Sequence, residues 1–229
     1  MHDEQHLRSS DTIRDIVIGM SDGLTVPFAL AAGLSGAISK SGIVVTAGIA
    51  EIVAGSIAMG LGGFLAGRTE LDHYNAELKR EYDEVERVPE QEKAEVKEVF
   101  ADFGLSVALQ DQIADEMAKD KDKWVDFMMR YELGLEKPQA NRASQSAITI
   151  GISYIVGGII PLSPYFFIAE SQRALLYSCA ITIVCLFVFG YFKSKVTGQP
   201  VVAGAFKVLF IGALAAAAAF VMAKLINGA

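Results

Sequence analysis

Cysteine is scarce in this 229-residue chain: Cys179 and Cys185 are the only two, both fall inside an apolar run, and neither belongs to a CxxC pair. No disulfide framework and no thiolate zinc site follows from them, and both read as packing residues. Histidine is almost as rare. His2 and His6 have helical i, i+4 spacing but sit in a polar tail, a weak metal-binding feature, and His73 is isolated. The first dozen residues lack an apolar signal-peptide core, so insertion into a membrane is expected to be directed by the first spanning helix, and no lipidation motif is present. A basic surplus is missing too. The formal charge is −7, and Arg68 to Asn141 holds 20 of the 27 acids against 11 of the 20 bases. Such a block argues against nucleic acid as a partner and for solvent exposure, cations or both, with a solvated helical surface as the plain alternative.

What the chain has in excess is apolar length, since 52% of it is hydrophobic. The stretch Gly48 to Arg68, GIAEIVAGSIAMGLGGFLAGR, covers the ~20 residues that a bilayer-crossing helix needs. It carries Glu51, and a carboxylate at that depth costs several kcal/mol unless protonated, paired or facing water or an ion. Met59 follows two turns later, roughly 80° around the helix at about 100° per residue, so one face can offer a hard oxygen and a soft sulfur. No breaker separates Gly67 from the acidic TELDHYNAELKREYDEVE, so one long helix is expected to leave the membrane and enter a soluble domain. Small residues recur at Ser56/Gly60 and Gly63/Gly67, a close-contact pattern where two subunits are expected to pair.

Before this span, about Thr12 to Ile38 forms another, punctuated by Ser21 to Gly23 and by Pro27. Pro27 deprives the Gly23 carbonyl of its helical donor beside the Asp22 carboxylate, so a broken or kinked span able to hold a cation is expected. An ordinary kink with Asp22 near the interface is the alternative. The loop Ser39 to Gly42 makes the two spans antiparallel neighbours, so Asp22 and Glu51 can meet. Three further spans are expected at about Ser144 to Ile160, ended or bent by Pro161 and Pro164, then Leu175 to Phe192 and Val201 to Ile226. The run Ala215 to Ala219 reads as a close helix contact. Arg8, Arg14, Arg68, Lys137, Arg142, Lys193, Lys195 and Lys207 fall on one side, and Lys40, Arg173 and Lys224 on the other. The positive-inside rule then makes the N-terminus and the acidic domain cytosolic and the C-terminus lumenal. The expected class is all-α, a polytopic membrane protein of five spans with a small helical domain continuing from the second. Its divisions are 1–67, 68–141 and 142–229.

Within the acidic domain three helical stretches are expected after the extended one, with breaks at Pro89, Gly104 and Gly134. Glu81 and Glu84, then Glu92 and Glu95, are i, i+3 pairs that repel one another without a counterion. Met128, Met129 and Glu132 add sulfur and oxygen within one turn. Oxygen ligands with a few thioethers suit Fe²⁺, Mn²⁺ or similar divalent ions better than structural zinc.

The segments IRDIVIGMSDGLTVPFALAAGLSGA and AGIAEIVAGSIAMGLGGFLAG resemble the vacuolar iron transporter family, specifically its plant-like branch, and the resemblance covers essentially the whole chain. It implies a homodimer of five-span subunits that exports Fe²⁺ from the cytosol into the vacuole against protons, with no permanently bound cofactor. It implies a pathway between the protomers' first and second helices at Asp22, Glu51 and Met59. It also implies a cytosolic metal-binding domain at Glu81, Glu84, Glu92, Glu95, Met128, Met129 and Glu132. Where other branches resemble SMAxGEY, this chain reads AMGLGGFL, so Gly63 replaces a membrane carboxylate and proton coupling does not transfer directly. Two other readings remain open. One is a membrane-anchored iron-oxidising enzyme, which lacks the Glu-x-x-His pairs of di-iron bundles; the other is a metal sensor, which leaves Asp22 and Glu51 unexplained.

Overall fold

Every apolar stretch becomes a long helix in the computed structural model, which describes His6–Asn227; His2 and the side chain of His6 lie outside the described part. The order is α1 (His6–Ala37), α2 (Ser41–Arg87), α3 (Pro89–Asp102), α4 (Val107–Met117), α5 (Lys121–Phe127) running into a π turn (Met128–Glu132), α6 (Arg142–Phe167), α7 (Ser171–Val196) and α8 (Val201–Asn227). Five of these helices, α1, α2, α6, α7 and α8, are long and apolar enough to cross a membrane. Among the described residues the extended structure is one antiparallel bridge between Lys40 and Glu170, so the chain is all-α. It divides into two compact units, residues 1–64 with 144–229, and residues 65–143.

In the first unit, α6 is the common partner of α1 and α2. Positions that a Cβ would occupy at Gly19 and Gly23 of α1 lie 2.3 Å from the carbonyl oxygens of Ile150 and Tyr154 in α6, so backbone meets backbone and only glycine fits. Further along, Gly158 faces Pro27 and the Ser35 hydroxyl lies 2.9 Å from that of Tyr165. Residue numbers rise together on both helices, so α1 and α6 run parallel. This contact removes one alternative, the break or the end, from each of two expectations and leaves the kink and the bend. α1 is not broken at Ser21 to Gly23 or at Pro27, and α6 does not end at Pro161 or Pro164 but continues through both to Phe167. Each proline removes one helical hydrogen bond, while the flanking turns stay packed against the neighbouring helix.

The face of α2 expected to pair two subunits is also used internally. Gly60 and Gly63 sit against Ala147, Ser146 and Ile150 of α6, with a Cβ on Gly63 only 2.7 Å from the Ile150 Cδ1. Small residues on α2 do mark a helix contact, as the four-residue spacing indicated, but the helix belongs to the same chain. The alanine run behaves as expected: Ala216 is buried with Phe28 and Ala32, and Gly33 approaches the Ala219 carbonyl. Cys179 packs against that cluster, and both cysteines are free.

The hairpins α1–α2 and α6–α7 repeat one another at a shift of 130 residues, the separation of Ser35 from Tyr165. From Ser41 to Gly60 the buried positions of α2 are Ser41, Val44, Gly48, Ile52, Ser56 and Gly60, matched on α7 by Ser171, Ala174, Ser178, Thr182, Leu186 and Gly190; beyond them the match ends, since Ser194 is buried and Phe64 is 36% exposed. Their tips are tied reciprocally. The Ser41 amide donates to the Ala169 carbonyl and the Ser171 amide to the Ser39 carbonyl, each at 3.0 Å.

In the second unit, α3, α4, α5 and the π turn close on the distal part of α2 around Tyr74, Val85, Val96, Ala114, Trp124, Val125, Met128 and Met129. Pro89 starts α3, where a missing amide costs nothing, and Gly104 and Gly134 take positive φ of 78° and 64° where helices stop. One interruption carried no proline or glycine signal: α4 ends before Ala118, and Asp120 caps α5 by accepting from the Lys123 amide at 3.3 Å.

Candidate metal pathway and acid site

Two groups of candidate residues lie in the two units. In the first unit, Glu51 faces α6, where Tyr154 donates its hydroxyl hydrogen to Glu51 Oε1 through a short hydrogen bond. The other oxygen, Oε2, is buried without a hydrogen-bond partner. The backbone of Tyr154 meets Gly23, the neighbour of Asp22, and its ring fills the space beside Gly55. Glu51 and the α1 backbone next to Asp22 are thus brought to one tyrosine of a third helix. Asp22, Glu51 and Met59 are all half-buried, a state that leaves a carboxylate and a thioether reachable without full solvation. Gly23 and Pro27 are buried, and Gly157 of α6 lies against the Gly23 and Leu24 backbone.

Tyr154 was not singled out from the sequence. It stands in an apolar run where a tyrosine reads as packing, and only the placement of α6 shows its hydroxyl on a buried acid. Asp15, 3% exposed, was missed as well. It lies on the α1 face of Gly19, Gly23 and Pro27, a four-residue row visible in the sequence once the α6 contact is known.

In the second unit the acids gather between α2, α3 and the π turn. Glu81 and Glu92 are each 2% exposed, and each has a buried Oε2 without a hydrogen-bond partner. Burial first, then Glu95, Glu81, Glu84 and Glu132, pushes the Glu92 carboxyl up to about 7. Burial first, then Glu95, Glu81 and Glu84, pushes Glu132 up to about 7 as well, with Arg80 pulling it down. The five acids are therefore close enough to feel one another, which is what a site awaiting a cation presents. Among the described residues no three His, Cys, Asp or Glu side chains converge as a finished cage. Glu84 is held by Arg80 and Glu95 accepts from Gln91 Nε2 at 3.2 Å. Met128 and Met129, 0% and 1% exposed, are packed in the apolar core with Trp124 and Val125. Their sulfurs are thus core groups first. The π turn that carries them spans Met128–Glu132, so it joins that core to the acid group.

The chain is similar to known proteins along nearly its whole length. The VIT family profile matches residues 13–224. Over 226 residues the chain is 53% identical to Vacuolar iron transporter 1 of Arabidopsis thaliana, covering 99% of this chain and 90% of that protein. Identity to Vacuolar iron transporter 1 of Tulipa gesneriana is 52% over 226 residues, covering 99% and 92%. Protein CCC1 of Saccharomyces cerevisiae is 40% identical over 229 residues, with 94% of this chain and 69% of that protein covered. With one profile spanning both hairpins and the acidic insert, and relatives matched nearly end to end, the chain belongs to the VIT family.

Proposed function

We propose that this chain is a secondary active transporter, not an enzyme, which moves Fe²⁺, and Mn²⁺ as a second substrate, from the cytosol into the vacuole in exchange for protons. The observation that carries the reading is Glu51, a carboxylate on a membrane-length helix that gives one oxygen to Tyr154 and keeps the other buried and unpaired. A divalent ion and a proton compete for that unpaired oxygen, so metal entry expels a proton and protonation releases metal. An acidic lumen would draw the cycle toward unloading. Asp22 holds the ion at an adjacent step, and Met59 favours softer transition ions over Mg²⁺ and Ca²⁺. The vacuolar iron transporters among the relatives support the substrate and the compartment.

The acid site of residues 68–141 is read as cytosolic and as the place where metal is gathered at Glu81, Glu84, Glu92, Glu95 and Glu132, above a Met128/Met129 floor. The N-terminus lies on the same side and the C-terminus in the lumen, by the distribution of Lys and Arg. The protein is read as a homodimer. Because the Gly60/Gly63 face is occupied by α6, the pairing face moves to the neighbouring row Gly42, Thr46, Ala50, Ala54, Ala58, Gly62 and Ala66, small at every fourth position and exposed throughout.

Fe²⁺ uptake into liposomes of fixed internal pH, with an internal dye for protons, tests the reading. Uptake should rise when the interior is acid and be accompanied by proton exit. Absence of uptake in both conditions removes the transporter reading, and uptake indifferent to the gradient removes the proton.

A further inference from the structure

Arg80 stands among the acids of the second unit. Its Nη2 is 2.8 Å from Glu77 Oε2 and its Nε is 3.4 Å from Glu84 Oε2. Glu77 and Glu84 are one turn to either side on α2, with side chains 18% and 29% exposed, so the guanidinium bridges along the helix at the edge of the acid group. Its charge also reaches Glu132 on the π turn. Inside that edge, Glu81 and Glu92 keep buried Oε2 atoms with no hydrogen-bond partner, which is an acceptor surface for a cation and not a solvated face.

We propose that Arg80 is a built-in competitor of the metal: it occupies Glu84, neutralises the acids while they are metal-free, and must release that carboxylate before the site can close on a divalent ion. The inference rests on the acid-site reading above. Two consequences follow from elementary electrostatics. A fixed positive charge next to the site opposes a dication, so affinity is held below what the acids alone would give, and the ion leaves more readily. Because the guanidinium is half-exposed, the competition is screened by salt. Lysine at this position keeps the charge but not the two-armed reach to Glu77 and Glu84.

Trp124 makes the test specific, since it is the chain's single tryptophan and is buried in the core with Met128 and Met129. Quenching of its emission by Mn²⁺ in the full-length detergent-solubilised protein reports on the acidic unit without counting ions held elsewhere. Arg80→Gln should tighten the apparent Kd about fivefold at low salt, the size that an ion pair of this exposure can carry. The gain should shrink toward nothing in about 1 M salt. Lys93→Gln, which removes a cation paired with Asp115 on the far pairing of α3 and α4, should leave Kd unchanged. Glu81, Glu84, Glu92 and Glu95 replaced together by Ala should abolish the quench. An Arg80→Gln chain that binds as the wild type, or more weakly, while the quadruple variant is silent, overturns the role of Arg80 alone. A quadruple variant that still binds as the wild type overturns the acid site and the inference with it.

Discussion

The hairpins α1–α2 and α6–α7 bury side chains at the same helical positions, yet they bury different chemistry. Glu51 corresponds to Ile181, Asp22 to Ile152 and Met59 to Phe189 under the shift of 130 residues. Ile181 and Ile152 face outward at 40% and 57% exposure. A helix in this place therefore packs with isoleucine as readily as with glutamate, so nothing in the packing of α2 asks for a carboxylate, and the desolvation cost of the acids is borne for another purpose. The lengths differ in the same sense: α2 runs for 47 residues and α7 for 26, and the surplus of α2 builds the acidic unit.

That asymmetry can be broken most sharply at its centre. Glu51→Gln should lower Fe²⁺ flux about 100-fold, the scale of a charged hydrogen-bonding group worth ~3 kcal/mol. Ile181→Ala at the matching place on α7 should leave flux within about twofold, since an outward-facing side chain has little to lose. Equal losses in liposome assays would erase the distinction between the hairpins. Tyr154→Phe comes next. It removes the donor to Glu51 without altering the ring, and a loss of about tenfold in flux is expected, with the pH dependence displaced. Unaltered flux and pH profile would return Tyr154 to packing.

A smaller effect belongs to the contact that the hairpins share. Gly23→Ala forces a methyl to 2.3 Å from the Tyr154 carbonyl, which costs ~1–3 kcal/mol. Gly62→Ala, whose added methyl meets no atom of its own chain, should hold or raise the melting temperature, since alanine favours a helix over glycine by ~1 kcal/mol. Indistinguishable unfolding of the two variants in a thermal-shift assay would show that α1 can move off α6 freely. The smallest effect concerns what α2 adds beyond α7. Glu92 and Glu132 titrate near 7 in the folded chain against 4.5 when unfolded, chiefly through burial. The folded acids keep protons that the unfolded chain releases across that interval, so the contribution of these two acids to metal-free stability is full below 4.5 and is lost as pH rises through 7. Trp124 emission on heating should show a transition a few degrees lower at about pH 8 than at about pH 5.5. A transition that climbs with pH contradicts this placement of the acids.

The spans and the acid cluster were legible because hydropathy and charge are summed over many residues and survive local error. Interruptions were legible in the acidic unit, at Pro89, Gly104 and Gly134, and not inside the spans. Pro27, Pro161 and Pro164 each signal a broken helix locally, and close packing against glycines such as Gly23, Gly157 and Gly158 overrides the signal. Small-residue spacing at Ser56/Gly60 and Gly63/Gly67 announced a helix contact but carried no label for the partner. Ile181 in the place of Glu51 hides the repeat from the letters, since few residues beyond Ser41/Ser171 and Gly60/Gly190 are the same in both hairpins. Tyr154 was invisible for a related reason: its meaning comes from Glu51, over a hundred residues away. Glu81/Glu84 and Glu92/Glu95 were readable as pairs from helical spacing; that they and Glu132 form one group was implied by the family resemblance alone, since they come from α2, α3 and the π turn.

The tied tips of the hairpins have a mechanical consequence. With Ser41 bound to Ala169 and Ser171 to Ser39 across the Lys40–Glu170 bridge, the four helices are clamped at one end. Any parting of the hairpins must swing about that clamp, as the blades of tweezers do, with the smallest displacement at Ser41 and a growing one toward Gly60. Glu51 lies between, two to three turns from the pivot, so a small angular motion shifts it less than it shifts Met59. A disulfide engineered between the directly facing positions 40 and 170 should therefore leave transport running, and its arrest would show that the pivot itself has to open.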